Sequence, residues 1–530
     1  MSLNYNSIYS DPPIPLSLFA VPVILLLLRV WWKKDNQGQQ LENQKFKTIP
    51  KVSGGIPFFG HAIAFATNPR QFLLECKKKY GSPFAINLLG TNAILFDGKY
   101  HQEFFSAAEK FLGFDDAIID IVVPEYTLGL HTVQQHLHVA VIRKQFQGVS
   151  LKDYQKSFND VISQNLNKVL PSLQKSGDSC VIDSLEGIAW SSIAACSMQS
   201  FFGSSIDGKE DILKVFISFH KSCFKIMNTR PIVPRIALKY FTSEVQADKA
   251  TIRKYIIPEV LKRREKKRNI SNNQNVKSDN FLDHLLDAIL DDQSEQIDSE
   301  KIIDYCMTLI FSAMVTTAST MVHVLNDLAG RGELIIEYKG KNCSLLEALE
   351  EELQEREDRL TFPLLDSFIY ETIRMSPLPI QQARKALTSG IMGGYQIPKD
   401  SMVYLSGLLA SEDPDVFDDP NTFIPTRFLQ VNINNRTGDP IGVEPVGLFP
   451  FGVGRHVCVG RFFAMAEIRA VVSNITSKYR LAAIPIPNKN HAVDTVPAYR
   501  WHAAGCDRYY ACVYGLNYVL LLLLLLLLFK

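Results

Sequence analysis

One cysteine constrains this chain more than any other residue. The stretch from 449 to 464 reads FPFGVGRHVCVGRFFA, in which Cys458 follows a loop holding Gly452 and Gly454, precedes Gly460, and runs into an apolar helical pattern. Glycine permits tight turns and the close approach of another group to the backbone. A helix starting just beyond the cysteine favours the thiolate, because unpaired N–H groups and aligned peptide dipoles place positive charge there. A thiolate held in such a place is a fitting axial ligand for haem iron, where it pushes electron density toward O–O cleavage. A buried structural cysteine is the ordinary alternative for a lone thiol, so the other motifs must decide.

The rest of the composition narrows the field. With 530 residues the chain has length for roughly three ordinary domains, and 46% hydrophobic with 10% aromatic residues excludes global disorder. The net charge of +1, with no basic stripe interleaved with aromatics, predicts no nucleic-acid partner. The cysteines, at 76, 180, 196, 223, 306, 343, 458, 506 and 512, are odd in number and lack CxxC spacing, as expected of reduced thiols facing the cytosol. Near the start, IPLSLFAVPVILLLLRVWW is followed by Lys33 and Lys34. Its interfacial tryptophans and trailing positive charge predict a membrane anchor with a lumenal start and a cytosolic body, in contact with membrane lipid.

The expected organisation is a lumenal N-terminus and transmembrane anchor over 1–34, a polar linker and Pro/Gly hinge over 35–60, a catalytic domain over 61–490, and an atypical apolar tail over 491–530. That tail holds a charge-free run from Tyr509 to Phe529, which reads either as a second membrane segment or as an altered reading frame. Within the body, NPRQFLLECKKKYG predicts a helix stopped by Gly81, and FAINLLGTNAILF predicts two short strands around Gly90. Helical periodicity dominates from about 150 to 330, and short strands return after Pro377. The basic run KRREKKRN, 262–269, reads as a solvated helix end or loop, with docking of a redox partner as the alternative. His136, His138 and His323 read as ordinary helix residues without partners. The fold class is α+β, mostly helical with a small β region.

The pattern Phe451-x-x-Gly454-x-His456-x-Cys458-x-Gly460 resembles the haem-ligand loop of the cytochrome P450 family, and CVGRFFAMAEIR looks closest to its fungal microsomal monooxygenases. Three further marks follow the family's order, so the resemblance covers about 50–485. ETIR supplies Glu371 and Arg374, and FIPTRF supplies Arg427, matching the family's structural Glu–Arg–Arg brace. LIFSAMVTTASTMV resembles the helix that crosses the haem face, with Thr316 in the place of the oxygen-side alcohol. A threonine there can bond back to the carbonyl four residues earlier and open the helix slightly.

The resemblance implies a thiolate-ligated haem (heme, iron protoporphyrin IX) on Cys458, with Phe451 and Gly460 in its loop and His456, Arg143 and Arg384 toward its propionates. It places Met375 and SPLPIQQAR on the substrate side. It also implies an apolar substrate, electrons from NADPH through a cytochrome P450 reductase, and a place in the endoplasmic reticulum membrane. Two departures stand out. Val315 occupies the position of the family's usual acid, and His456 that of a usual arginine. The missing acid keeps open a haem-thiolate isomerase or dehydratase acting on a peroxide without reductase, and the odd tail keeps open a non-catalytic haem protein.

Overall fold

The longest helix organises the molecule. Asp298 begins it: its side chain accepts from the N–H groups of Glu300 (3.1 Å) and Lys301 (3.2 Å), as an N-cap should. From there Ser299–Arg331 runs apolar on nearly every face, so it must be enclosed. The helices Leu130–Gln135, Glu186–Phe202, Glu210–Thr229, Ser243–Asn269, Pro363–Met375 and Arg461–Thr476 all pack against it. Among the described residues this is the one helix long and apolar enough to cross a membrane, but that packing makes it the core of the protein.

The computed structural model describes residues 46–481, apart from 147–148, 170–184, 204–205, 207–208, 270–279, 291–297, 356–361 and 430–446. The expected anchor (1–34) and apolar tail (491–530) lie outside the described residues. The end of the 35–60 segment is fastened to the body: Lys47 N–H donates to Gly394 O at 3.1 Å and Val52 N–H to Ala85 O at 2.9 Å.

The predicted helix forms over Pro69–Tyr80, capped by the Asn68 side chain and ended by Gly81 at φ 76°. Strands β1 (Phe84–Leu88) and β2 (Thr91–Phe96) form the expected hairpin around Gly90. After Pro377 come β6 (Gln382–Ala386), the small β7–β8 hairpin (Gly390–Met392, Tyr395–Ile397) and β9 (Met402–Leu405). The main sheet has order β1-β2-β9-β6-β3, where β3 is Leu112–Gly113, and β2 and β9 are its parallel pair. The hairpin of β4 (Ile335–Tyr338) and β5 (Lys341–Ser344) follows the long helix. The architecture is mostly helical with small sheets, as the sequence predicts.

Two readings need correction. The basic run begins inside the helix Ser243–Asn269, and Arg263 is turned inward rather than solvated. Its guanidinium reaches Glu259 (2.9 Å), Asn280 (2.9 Å), Asp283 (2.8 Å) and the Phe202 carbonyl (2.8 Å). His136 is not an interior helix residue either. It takes a left-handed conformation (φ 51°) between Leu130–Gln135 and Leu137–Gln145, and its Nε2 lies 3.0 Å from Asp115.

Candidate active site

The cysteine loop is built by backbone geometry. Gly452 (φ 69°) and Gly454 (φ 74°) take left-handed angles that a side chain would strain. The turn they make brings the Cys458 N–H to the Phe451 carbonyl at 2.8 Å. Gly460 differs from the expectation of a turn glycine: its φ is −89°, and it serves as N-cap of Arg461–Thr476. Cys458 therefore sits at the positive end of that helix, exposed and outside any disulfide. Arg461 donates to its carbonyl at 3.0 Å.

Beside this loop lies a cluster that the sequence assigns to propionates. Arg384, on β6, is buried, with its guanidinium 5.1 Å from the Phe104 ring and 4.9 Å from that of Phe114. It donates to the Ala383 carbonyl at 2.8 Å and has no ion pair among the described residues. Burial pulls its pKa down to about 10, with the Glu109 carboxylate opposing the shift without forming an ion pair. Arg143, near the end of Leu137–Gln145, is exposed and also without an ion pair among the described residues. His456 is otherwise engaged: its Nε2 lies 2.5 Å from Glu109 Oε1, and its ring stacks on Phe114 at 4.3 Å. Burial pushes the Glu109 carboxyl up, but the Phe114 N–H and His456 outweigh it and hold the group below the usual range.

The long helix supplies the opposite wall in the sequence reading. Thr316 Oγ1 bonds back to the Ser312 carbonyl at 3.1 Å, as its position predicts. Thr316 and Ser312 are exposed, whereas Val315 is buried. Met375 and the glutamines of SPLPIQQAR have contacts the sequence did not anticipate. Arg374 donates to Met375 Sδ at 3.0 Å, Gln381 donates to the Pro450 carbonyl at 3.3 Å, and Gln382 lies against Gly452.

Glu371, Arg374 and Arg427 come together as the expected brace. Arg374 donates to both oxygens of Glu371 at 2.8 Å, and Arg427 Nε reaches the same carboxylate at 3.2 and 3.1 Å. The two arginines then hold the carbonyls of Ser411, Pro420, Asp418, Asp419 and Thr422, which fixes the meander between β9 and Arg427. Sequence reasoning missed Glu109 and a buried pair further along the long helix, Asp304 with Lys249 at 2.6 Å. Neither has a local spacing signal, because their partners are remote in sequence.

The residues fit a haem. A thiol at a helix N-terminus suits the iron, and a buried, unpaired guanidinium beside it suits an anionic propionate.

Comparison with known proteins covers most of the chain. A family model described as Cytochrome P450 matches residues 50–496. Lanosterol 14-alpha demethylase of Cunninghamella elegans is 24% identical over 465 residues, spanning 83% of this chain and 87% of the relative. Cytochrome P450 monooxygenase 71 of Postia placenta is 24% identical over 450 residues, spanning 81% and 86%. Human lanosterol 14-alpha demethylase is 24% identical over 449 residues, spanning 83% and 82%. Among solved structures, retinoic acid bound cyanobacterial CYP120A1 superposes with a TM-score of 0.62 at 18% identity, covering 83% of this chain and 94% of that one. This last likeness bears on the fold alone.

Proposed function

The chain belongs to the cytochrome P450 family and is a haem-thiolate monooxygenase, and on that premise we propose that it hydroxylates an apolar substrate with electrons from NADPH delivered by a reductase. The observation that carries the reading is Cys458, exposed on its glycine turn at the start of Arg461–Thr476. When bound, the haem supplies the redox chemistry by which O₂ is cleaved and one oxygen atom enters a C–H bond. Per turnover the reaction takes two electrons and two protons and gives one water.

This reading gives each of the protein's own site residues a role. Cys458, favoured as thiolate by the helix N-terminus, would hold the iron and donate electron density to it. Arg384 and Arg143 would meet the propionates, and His456, whose Nε2 is held by Glu109, would join them through its remaining ring nitrogen. Phe451 and Gly460 shape the loop, and Glu371, Arg374 and Arg427 brace the fold. Thr316 presents a hydroxyl on the oxygen side. In this reading residues 61–490 form the catalytic domain, held to the endoplasmic reticulum membrane by the 1–34 anchor through the 35–60 linker, with 491–530 as the tail. The relatives named as lanosterol demethylases make a sterol the first substrate to screen.

The test is spectroscopic, then kinetic. The reduced protein with carbon monoxide should show a Soret band shifted far to the red, and Cys458→Ala should lose it. NADPH oxidation with reductase should rise on adding substrate. Turnover of a peroxide substrate without reductase or NADPH would instead establish the isomerase or dehydratase reading.

A further inference from the structure

The long helix lacks a carboxylate beside Thr316, yet the reaction consumes protons there. Between Tyr305 and Asn326 the helix holds no acid at all. Among its polar side chains, Glu300, Asp304, Thr308, Ser312, Thr316 and Thr320 recur at every fourth residue, each one turn from the next, and so form a lane that winds slowly round the helix. The hydroxyls of Thr308, Ser312, Thr316 and Thr320 bond back to the carbonyls one turn earlier at 2.8, 2.8, 3.1 and 2.9 Å. In each the hydroxyl hydrogen is turned to the backbone, which leaves the oxygen able to accept a further bond. Neighbours in the lane are about 6 Å apart along the axis, a gap that one water bridges.

The lane has an acid at its outer end. Asp304 is held by Lys249 Nζ at 2.6 Å and lies 3.8 Å from His131 Nδ1, beneath the backbone of Gly129. A Cβ at Gly129 would come within 2.1 Å of Asp304 Oδ2, so the left-handed glycine (φ 87°) is what lets this loop close over the carboxyl. Thr308, next in the lane, is also 3.5 Å from the Leu128 carbonyl of the same loop. One turn the other way, Glu300 is exposed to solvent and paired with Arg253. The charged and titratable groups facing Asp304 are thus Lys249 and Arg253 from Ser243–Asn269, His131 from Leu130–Gln135, and Glu300, Lys301 and Tyr305 from its own helix.

We propose that Asp304 is the relay carboxyl of this enzyme, passing protons from solvent at Glu300 along Thr308 and Ser312 to Thr316 Oγ1, in place of the acid absent at Val315. The proton leaves Asp304 for the water next to Thr308. Each hydroxyl turns off its carbonyl to pass its own proton on as it accepts the next, and the resulting Asp304 carboxylate is reprotonated from solvent. Burial raises the Asp304 pKa, with Lys249 opposing it, so its proton is held more tightly than that of an exposed carboxyl. The inference rests on the monooxygenase reading and adds the route its protons take.

The experiment uses the full chain with haem and reductase, and compares wild type with Asp304→Asn, Ser312→Ala and Asp304→Asn combined with Val315→Asp. The fraction of NADPH converted to product should fall at least about tenfold in Asp304→Asn and Ser312→Ala, with a larger solvent isotope effect on turnover. The Val315→Asp addition should restore coupling. Independently of turnover, an infrared carboxyl band of the resting protein should titrate with pH and vanish in Asp304→Asn. Unchanged coupling and isotope effect in both Asp304→Asn and Ser312→Ala, with the carbon monoxide band intact, would overturn the proposal. A wild-type protein that consumes no NADPH with any apolar substrate overturns the parent reading first, and the relay with it.

Discussion

Glu371 and Arg384 are both buried and charged, but only one of them is satisfied by the protein. Glu371 takes bonds from Arg374, Arg427 and the Ile424 N–H, while Arg384 gives one to a neighbouring carbonyl. An unpaired buried charge costs stability, so Arg384 should burden the fold until an anionic group meets it. Arg384→Met keeps the volume and removes the charge. We expect the haem-free variant to be as stable as its parent or more so in denaturant unfolding. Haem affinity should nonetheless drop about tenfold to hundredfold, the equivalent of a charge-assisted hydrogen bond of roughly 1.5–3 kcal/mol. A less stable haem-free variant with unchanged haem affinity would mean the guanidinium serves the fold instead. The Glu371–Arg374 contact was legible because the two residues stand one helical turn apart. The contact of Glu109 with His456 joins residues 347 positions apart, and no local pattern announces it.

Among the elements, periodicity located the helices and apolar density around Gly90 located the β1–β2 hairpin, with Asn, Asp or Gly marking the ends. The basic run shows where that reasoning stops. Eight residues rich in charge look solvated, but a helix turns one in every three or four toward its neighbours. Arg263 is the inward one, tying Ser243–Asn269 to Phe281–Leu290 through Asp283 and to Glu186–Phe202 through the Phe202 carbonyl. Arg263→Ala should therefore destabilise the protein by about 2–4 kcal/mol, since it removes the part-buried cation that Glu259, Asp283, Asn280 and the Phe202 carbonyl share. Lys262→Ala, on the exposed side of the same run, should stay within about 0.5 kcal/mol. Thermal unfolding of the two variants side by side checks this, and equal losses would return the whole run to the surface.

The whole molecule carries a set of buried titratable groups whose effects on stability oppose one another. His138 and His220 each leave Nδ1 without a hydrogen bond, and burial lowers both to about 4. Between about 4 and 6.5 the unfolded chain binds protons that these rings refuse, so their contribution to stability rises with pH. Glu467, on Arg461–Thr476, works the other way. It receives one bond, from Ser197 at 2.8 Å, its Oε2 has no partner, and burial raises its pKa well above 4.5. The native state then keeps a proton that the unfolded chain releases, so stability is lost as pH rises above 4.5. Glutamine mimics the protonated acid, and Glu467→Gln removes this second effect while leaving the histidines in place. At pH near 4 the variant should match its parent. Toward neutrality it should become the more stable of the two, by up to about 1.4 kcal/mol for each pH unit across which the native acid stays protonated. Denaturant midpoints measured from pH 4 to 8 would then rise more steeply for the variant than for the parent. If Glu467→Gln is instead the weaker protein at pH 7, the native carboxyl is ionised there and stabilised by a partner.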